Sequence, residues 1–260
     1  MTALTLSTSG AAALRADAIV VGVAKGAGSK SGNLVVAPGA EAVDKAFDGK
    51  LATVLETLGA TGGEGEVTKL PAPSGLKSPV VLAVGLGTAA DKDDTYSAEA
   101  LRRAAGAAAR ALSGSKKAGF ALPVEAVEDA AAIAEGALLG AYSFTAYQGG
   151  EKDGKAAKSG DNGPKQPLAE VTVLGGKPRD KAFKAAAERA LALTEEINRA
   201  RDLVNTPPND LYPSPSPRWP PRPARSTVSR CRCSTRSRWP RAVTAASWAS
   251  ARARSTARGW

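Results

Sequence analysis

The chain has 260 residues, a hydrophobic fraction of 43% and a net charge of +10. This length is sufficient for one large or two small domains with a buried core. No apolar run approaches the roughly 18–20 residues needed to cross a bilayer. The N-terminus has no basic segment ahead of an apolar core, which argues against a signal peptide. These features favour a cytoplasmic protein without a membrane partner.

The positive charge is concentrated at one end of the chain. Residues 214–260, which we call the tail, contain eleven Arg and no Lys, Asp or Glu, so residues 1–213 carry 24 basic and 25 acidic side chains. Both Cys and all four Trp also lie in the tail. The body and the tail are therefore two different kinds of sequence.

Five short apolar segments rich in β-branched residues predict buried strands. They are Ala18–Ala24, Asn33–Ala37, Pro79–Gly85, Gly119–Val124 and Ala169–Leu174. Four amphipathic segments predict helices. They are Ala40–Leu58, Ser97–Leu112, with Ser97 as N-cap, Glu125–Phe144 and Asp180–Val204. Strands that alternate with helices predict an α/β fold with a sheet covered on both faces. The polar stretch Gly149–Pro167 predicts a surface loop.

The body offers little catalytic chemistry. The chain contains no His, which excludes histidine-based triads and histidine-ligated metal sites. Cys231 and Cys233 lie in the tail, and two ligands do not make a structural zinc site. The sequence therefore indicates no catalytic, cofactor-binding or metal-binding residue in this chain.

A glycine turn at Gly85 and Gly87 follows one predicted strand and precedes the helix at Ser97. Such a turn can present backbone N–H groups to a phosphate. However, the three aspartates Asp91, Asp93 and Asp94 follow it and would repel an anion, so a tight strand exit is favoured. The basic pairs Arg102–Arg103 and Lys116–Lys117 are interpreted as solvated helix ends or faces.

The most informative stretch is Asn198–Pro213, which reads N-R-A-R-D-L-V-N-T-P-P-N-D-L-Y-P. Asn205 and Thr206 precede two prolines, and residues before proline avoid the helical conformation, so the long helix should stop here. Structurally, the stretch predicts the end of a helix that leads into a linker.

The same stretch resembles the signature that joins the N-terminal and catalytic domains in the leucyl (cytosol) aminopeptidase family, with Arg201 to Asn209 matching without a gap. Weaker resemblances lie at Val84–Gly87, Ala100–Gly106 and Glu135–Phe144. The resemblance implies an aminopeptidase N-terminal domain over residues 1–197, with a macrodomain-like central mixed sheet and helices on both faces, and a hinge over residues 198–213.

The resemblance also implies what the intact enzyme does. Family members release N-terminal amino acids from peptides with two divalent metal ions, Mn or Zn, held by carboxylates and a Lys. The motifs of the kind G-K-G-x-x-F-D-T-G-G and N-T-D-A-E-G-R that carry those ligands do not occur here. We therefore expect this chain to be inactive alone, without bound metal. The family's homohexamer, which depends largely on catalytic domains, is doubtful for it.

The tail lacks Leu, Ile, Met, Phe and Tyr, and it predicts disorder after about residue 213. Its Arg and Trp could bind nucleic acid through phosphate contacts and stacking, but its composition is also typical of GC-rich DNA translated in a wrong frame. Ala245–Arg254 can be encoded by codons that, when read one base earlier, give G-G-I-L-G-V-G-Q-G-S. The same shift over Ser226–Thr244 permits E-H-G-L-K-V-Q-V-L-D-E-K-A-L-A-K-G-G-Y, which resembles the family sequence after the hinge.

Three hypotheses follow. The favoured one is a metal-dependent leucyl aminopeptidase truncated by a frameshift near Pro213–Ser214, for which no nucleic-acid partner is expected. The alternatives are a macrodomain-like module that binds a nucleotide or an ADP-ribose-type ligand, and nucleic-acid binding through the basic tail.

Overall fold

The computed structural model describes residues 2–26, 34–88, 96–147 and 166–211. The strands are β1 (Ala3–Ser7), β2 (Ala18–Lys25), β3 (Leu34–Val36), β4 (Val67–Pro71), β5 (Val80–Thr88), β6 (Lys117–Ala121) and β7 (Glu170–Leu174). The helices are α1 (Glu41–Ala46), α2 (Leu51–Thr57), α3 (Ala98–Ala111), α4 (Val127–Gly140) and α5 (Lys181–Asn205), and a short 3-10 turn covers Ala11–Ala13. None of these helices has both the length and the apolarity to cross a bilayer.

The described strands form one mixed sheet in the order β1-β7-β6-β2-β5-β4. The first five strands in this order, β1, β7, β6, β2 and β5, are parallel. The sixth, β4, is antiparallel to β5. The short strand β3 pairs antiparallel with Val23–Lys25 of β2, beyond the point where β6 ends. The predicted α/β fold with a central mixed sheet is therefore confirmed.

Helices cover both faces of this sheet. In β2, Ala18, Val20 and Ala24 belong to the core cluster that also contains buried residues of α3, α4 and α5. The alternate residues Ile19, Val21 and Val23 belong to the cluster with α1 and α2. Successive strand side chains point to opposite faces, so burial on both faces requires the nearly continuous apolar run that β2 carries.

The two strands that the sequence does not predict lie at the edges of the sheet. β1 and β4 are the end strands in the pairing order, and most of their side chains are partly or fully exposed. They therefore lack the apolar run by which the central strands were predicted. Two predicted strands also had wrong boundaries, because β5 continues from Gly85 to Thr88 and β6 covers Lys117–Ala121 instead of Gly119–Val124.

The predicted helices are present with corrected limits. The Ser97 side chain accepts a hydrogen bond from the Ala100 N–H at 3.2 Å, as expected for the N-cap of α3. The predicted helix Ala40–Leu58 is two helices, α1 and α2, which are separated where Asp48 and Gly49 both adopt positive φ. The prediction for Glu125–Phe144 was too long, since α4 ends at Gly140.

Helices α3 and α4 approach each other closely because glycines lie at their contact. A Cβ on Gly136 would overlap the backbone carbonyl of Arg102, and a Cβ on Gly140 would overlap the carbonyl of Gly106. This packing fixes the position of the end of α4. The end of α4 in turn contacts the last turns of α5.

Candidate functional site at the end of the last helix

The last two turns of α5 are held against the end of α4 by Arg201. Its Nη1 donates to the backbone carbonyl of Leu139 at 3.1 Å and to Oδ1 of Asn198 at 3.3 Å. Leu139 lies in the last turn of α4, where carbonyl groups have no partner within the helix. Arg201 therefore satisfies one of these carbonyls and also places a positive charge at the negative end of the helix dipole.

Tyr142, just beyond the end of α4, contacts three residues of α5. The Arg201 Cζ lies 5.4 Å from the centroid of its ring. The Tyr142 hydroxyl donates to Oδ1 of Asp202 at 2.7 Å and accepts from Nδ2 of Asn205 at 3.1 Å. Burial and the hydrogen bond to Asp202 raise the pKa of this hydroxyl, so it remains a donor at neutral pH. We call Tyr142, Arg201, Asp202 and Asn205 the exit cluster.

The chain turns sharply as it leaves α5. Thr206 adopts an extended conformation, and its N–H and Oγ1 both donate to the carbonyl of Asp202, at 2.9 and 2.6 Å. Farther along, the Tyr147 hydroxyl donates to Oδ2 of Asp210 at 2.6 Å. The predicted helix stop before Pro207 is confirmed. The exit cluster and these bonds fix the direction of the chain as far as Leu211.

Apolar side chains are exposed around this exit. Of the six large hydrophobic residues exposed within the described ranges, four lie on α5 or directly after it. They are Leu193 (47% exposed), Leu203 (37%), Val204 (84%) and Leu211 (48%). Val204 also borders a groove of about 480 Å³, whose other lining residues are Tyr142, Ile197, Ala200, Arg201 and Asn205. This surface can bind an apolar partner, and the Tyr142 hydroxyl at its edge is already bonded to Asp202 and Asn205.

The glycine turn proposed from the sequence is part of the sheet. Gly85 and Gly87 lie in β5, and their N–H groups donate to the carbonyls of Glu66 and Gly62 at 2.8 and 3.1 Å. A Cβ on Gly85 would overlap the carbonyl of Gly63. These donors are therefore engaged, and the glycines allow the loop before β4 to cross the end of β5. The three aspartates after this turn lie outside the described residues.

The crossing loop is closed by one carboxylate. Glu66 accepts hydrogen bonds from the Thr61 N–H at 3.0 Å, the Thr61 hydroxyl at 2.8 Å and the Gly63 N–H at 3.1 Å. Burial acts to raise the pKa of Glu66, but these hydrogen bonds outweigh it, so the pKa lies below its ordinary value. Glu66 is a structural residue that the sequence did not single out.

The basic pairs lie on the surface, mostly in ion pairs. Arg102 binds Glu99 and Glu135 at 2.6 and 3.1 Å, Arg103 binds Glu99 at 2.9 Å, and Lys117 binds Glu170 at 2.6 Å. The interpretation as helix faces fits the two arginines, whereas Lys117 begins β6. Cys231 and Cys233 lie outside the described residues. Within the described ranges, no three His, Cys, Asp or Glu side chains are grouped to hold a metal ion.

Comparison with known proteins gives a consistent result. The model of the "Cytosol aminopeptidase family, N-terminal domain" matches residues 20–150. A probable cytosol aminopeptidase of Streptomyces griseus is 77% identical over 215 residues, which are 82% of this chain and 41% of that protein. One from Streptomyces coelicolor is 69% identical over 218 residues, with the same coverage of 82% and 41%. The chain thus spans about two fifths of the length of these relatives.

Solved structures share the fold. A tomato leucine aminopeptidase variant superposes with a TM-score of 0.59 at 18% identity, covering 82% of this chain and 40% of the tomato chain. The bottromycin maturation enzyme BotP in complex with Mn has a TM-score of 0.50 at 27% identity, covering 76% of this chain and 34% of its own. The family model matches residues 20–150, which are half of this chain. The chain therefore belongs to the cytosol aminopeptidase family, and the matching part is the family's N-terminal domain.

Proposed function

We propose that this chain is the N-terminal part of a metal-dependent aminopeptidase that releases N-terminal amino acids from peptides, and that the chain alone is inactive. The observation that carries the proposal is the extent of the match. The family model is that of an N-terminal domain, and the matched region makes up only 41% of the Streptomyces griseus relative. More than half of the relative therefore has no counterpart in this chain.

The residues described here do not fit a two-metal centre. Such a centre needs several carboxylate or nitrogen ligands within about 2–2.5 Å of each ion, and the described residues contain no group of three His, Cys, Asp or Glu that could supply them. A relative in this fold has been solved with Mn, which supports metal use by the intact enzyme. We therefore assign the ligands and the reacting groups to the missing part, and no catalytic step to this chain.

The role that we assign to this chain is positioning. The exit cluster holds residues 201–205 against the end of α4, so that a domain following the hinge would start from a defined point and direction. Rigid placement matters because small displacements of catalytic groups lower rates strongly. For the intact protein we also propose peptide substrates and a cytoplasmic location.

We further propose that the tail is the beginning of the catalytic domain, translated out of frame. Its composition, with eleven Arg and no acidic residue in residues 214–260, and the family-like sequence permitted by a shifted frame support this. Sequencing the coding DNA tests it directly. One inserted or deleted base near codon 213, with an open frame continuing downstream, is the expected result, and an intact frame that ends after Trp260 would refute the frameshift.

Activity is tested by hydrolysis of leucine p-nitroanilide with added Mn²⁺ or Zn²⁺. The 260-residue chain should show no turnover, whereas the product of the corrected reading frame should be active. Turnover by the 260-residue chain would contradict its proposed inactivity. A corrected product that folds, binds metal and cleaves no N-terminal residue from any peptide would contradict the proposed activity.

A further inference from the structure

Among the described residues, one face of α5 is exposed and has a self-complementary pattern. The helix packs on α4 and the sheet through its buried residues Phe183, Ala190 and Thr194. At 100° per residue, a second face lies roughly 130° around the helix from these residues. Nine exposed residues form this face, namely Ala182, Ala185, Arg189, Ala192, Leu193, Glu196, Ala200, Leu203 and Val204.

The face is apolar except for two opposite charges that are seven residues apart. Seven of its nine side chains are apolar, and Leu193, Leu203 and Val204 are among the most exposed large hydrophobic residues of the described chain. Arg189 has no ion-pair partner within the described ranges, and Glu196 binds only Arg199, at 3.2 Å with its side chain 71% exposed. Seven residues are two helical turns, about 10 Å along the axis.

This pattern matches itself when a second copy of α5 lies antiparallel to the first. If the two-fold axis passes between Ala192 and Leu193, Arg189 of one copy lies opposite Glu196 of the other, and the same pair forms again by symmetry. Leu203 then lies opposite Ala182, so large side chains face small ones, and the alanines permit the close approach of about 8–10 Å between helix axes. Residues three and four apart supply the alternating contacts of an antiparallel helix pair.

We propose that this face of α5 binds a second copy of the chain and forms a symmetric dimer. The face lies roughly 130° around α5 from the residues that pack on α4 and the sheet, so each domain core is on the far side of its own helix from the partner helix. Two-fold symmetry uses each complementary contact twice, which is why a self-complementary face favours a dimer. The proposal does not depend on aminopeptidase activity, since it concerns only the described domain.

Sedimentation velocity of the full 260-residue chain, over about a hundredfold range of concentration, tests the proposal. Arg189→Glu and Glu196→Arg each replace two attractive contacts by two repulsive ones, and each should weaken dimerisation at least about fivefold. The double variant Arg189→Glu/Glu196→Arg exchanges the charges and should restore it. Lys184→Glu and Glu195→Arg make the same charge changes at exposed positions outside this face and should leave dimerisation unchanged.

Each other result overturns the proposal. A monomer at all concentrations would exclude the dimer. Association that ignores both single reversals would show that another surface, such as the tail, is responsible. Equal weakening by the control variants would indicate a general effect of net charge. A double variant no better than the single ones would contradict the antiparallel register, and far-ultraviolet circular dichroism of every variant verifies that the domain remains folded.

Discussion

The guanidinium of Arg201 lies over the ring of Tyr142, with 5.4 Å between the Arg201 Cζ and the ring centroid. The two residues come from separate stretches that resemble the family, one within Glu135–Phe144 and one within Arg201–Asn209. The fold brings these stretches together at the ends of α4 and α5, because the glycine contacts with α3 fix α4. The two stretches that resemble the family therefore contribute to one set of contacts, which holds the last turn of α5 against the end of α4.

Removal of the Tyr142 hydroxyl should loosen this exit. Tyr142→Phe keeps the ring beside Arg201 but removes the hydrogen bonds to Asp202 and Asn205. We expect a loss of about 1 kcal/mol in the free energy of unfolding, measured by urea denaturation. Hydrogen exchange should become faster at the amides of residues 203–206, which lie in the last turn, and remain unchanged in β2.

The matched control is Tyr147→Phe. The Tyr147 hydroxyl also donates to a carboxylate, that of Asp210 at 2.6 Å, but the residue is 52% exposed. Tyr147→Phe removes one hydrogen bond of an exposed side chain, whereas Tyr142→Phe removes two from a half-buried one, so the control should leave stability nearly unchanged. Equal losses in the two variants would mean that the exit cluster is no more than a surface contact.

Arg201→Lys should be destabilising although the charge is kept. Lysine has no planar fork, so the hydrogen bonds to Leu139 and Asn198 and the stacking on Tyr142 are not all reproduced. We expect a loss of about 1–2 kcal/mol in thermal or chemical unfolding. Arg103→Lys, at a surface residue paired with Glu99, should change stability by less than about 0.5 kcal/mol. Comparable losses would argue against a specific role for Arg201.

The parts of this fold that the sequence predicts are those in which burial and local chemistry agree. β2 and β7 are largely buried along their length and read as short runs rich in β-branched residues. Ser97 caps α3 through a local hydrogen bond to Ala100. The end of α5 follows from Pro207, which excludes helical geometry before it. In each case the signal lies within a few residues of the structure that it specifies.

The remaining features depend on contacts between distant residues. β1 joins the sheet only by pairing with β7, and β5 extends past Gly85 because the loop at Gly62 pairs with it. The exit cluster needs Tyr142 and Asp202 to meet across two helices. No local sequence pattern indicates these contacts, although both segments lie within stretches that resemble one family.

The contact between α3 and α4 should not tolerate a side chain at Gly136. Gly136→Ala would place a methyl group against the Arg102 carbonyl, so the helices must separate and the core around Ile133 and Ala105 must repack. We expect a loss of at least about 3 kcal/mol. Gly10→Ala is the control, since Gly10 has an ordinary φ of −64° and no atom near the added Cβ. Thermal melting distinguishes the two, and similar melting temperatures would contradict the close packing.

Glu66 should make stability depend on pH in the acid range. Its pKa in the folded chain is lowered from 4.5, since hydrogen bonds from Thr61 and Gly63 outweigh the opposing effect of burial. A lowered folded pKa means that the carboxylate stabilises the fold fully above pH 4.5, and that this contribution is lost as the pH falls through the folded value. Glu66→Gln resembles the protonated form, so it should cost about 1 kcal/mol at neutral pH.

The difference between the wild-type chain and Glu66→Gln should therefore shrink as urea denaturation is repeated at decreasing pH below 4.5. Glu64→Gln is the matched control, because the Glu64 carboxylate lies 3.6 Å from Arg103 on the surface and such pairs contribute little. It should leave stability nearly unchanged at neutral pH. A Glu66→Gln variant that remains equally destabilised at low pH would show that shape, and not charge, is what Glu66 provides to the crossing loop.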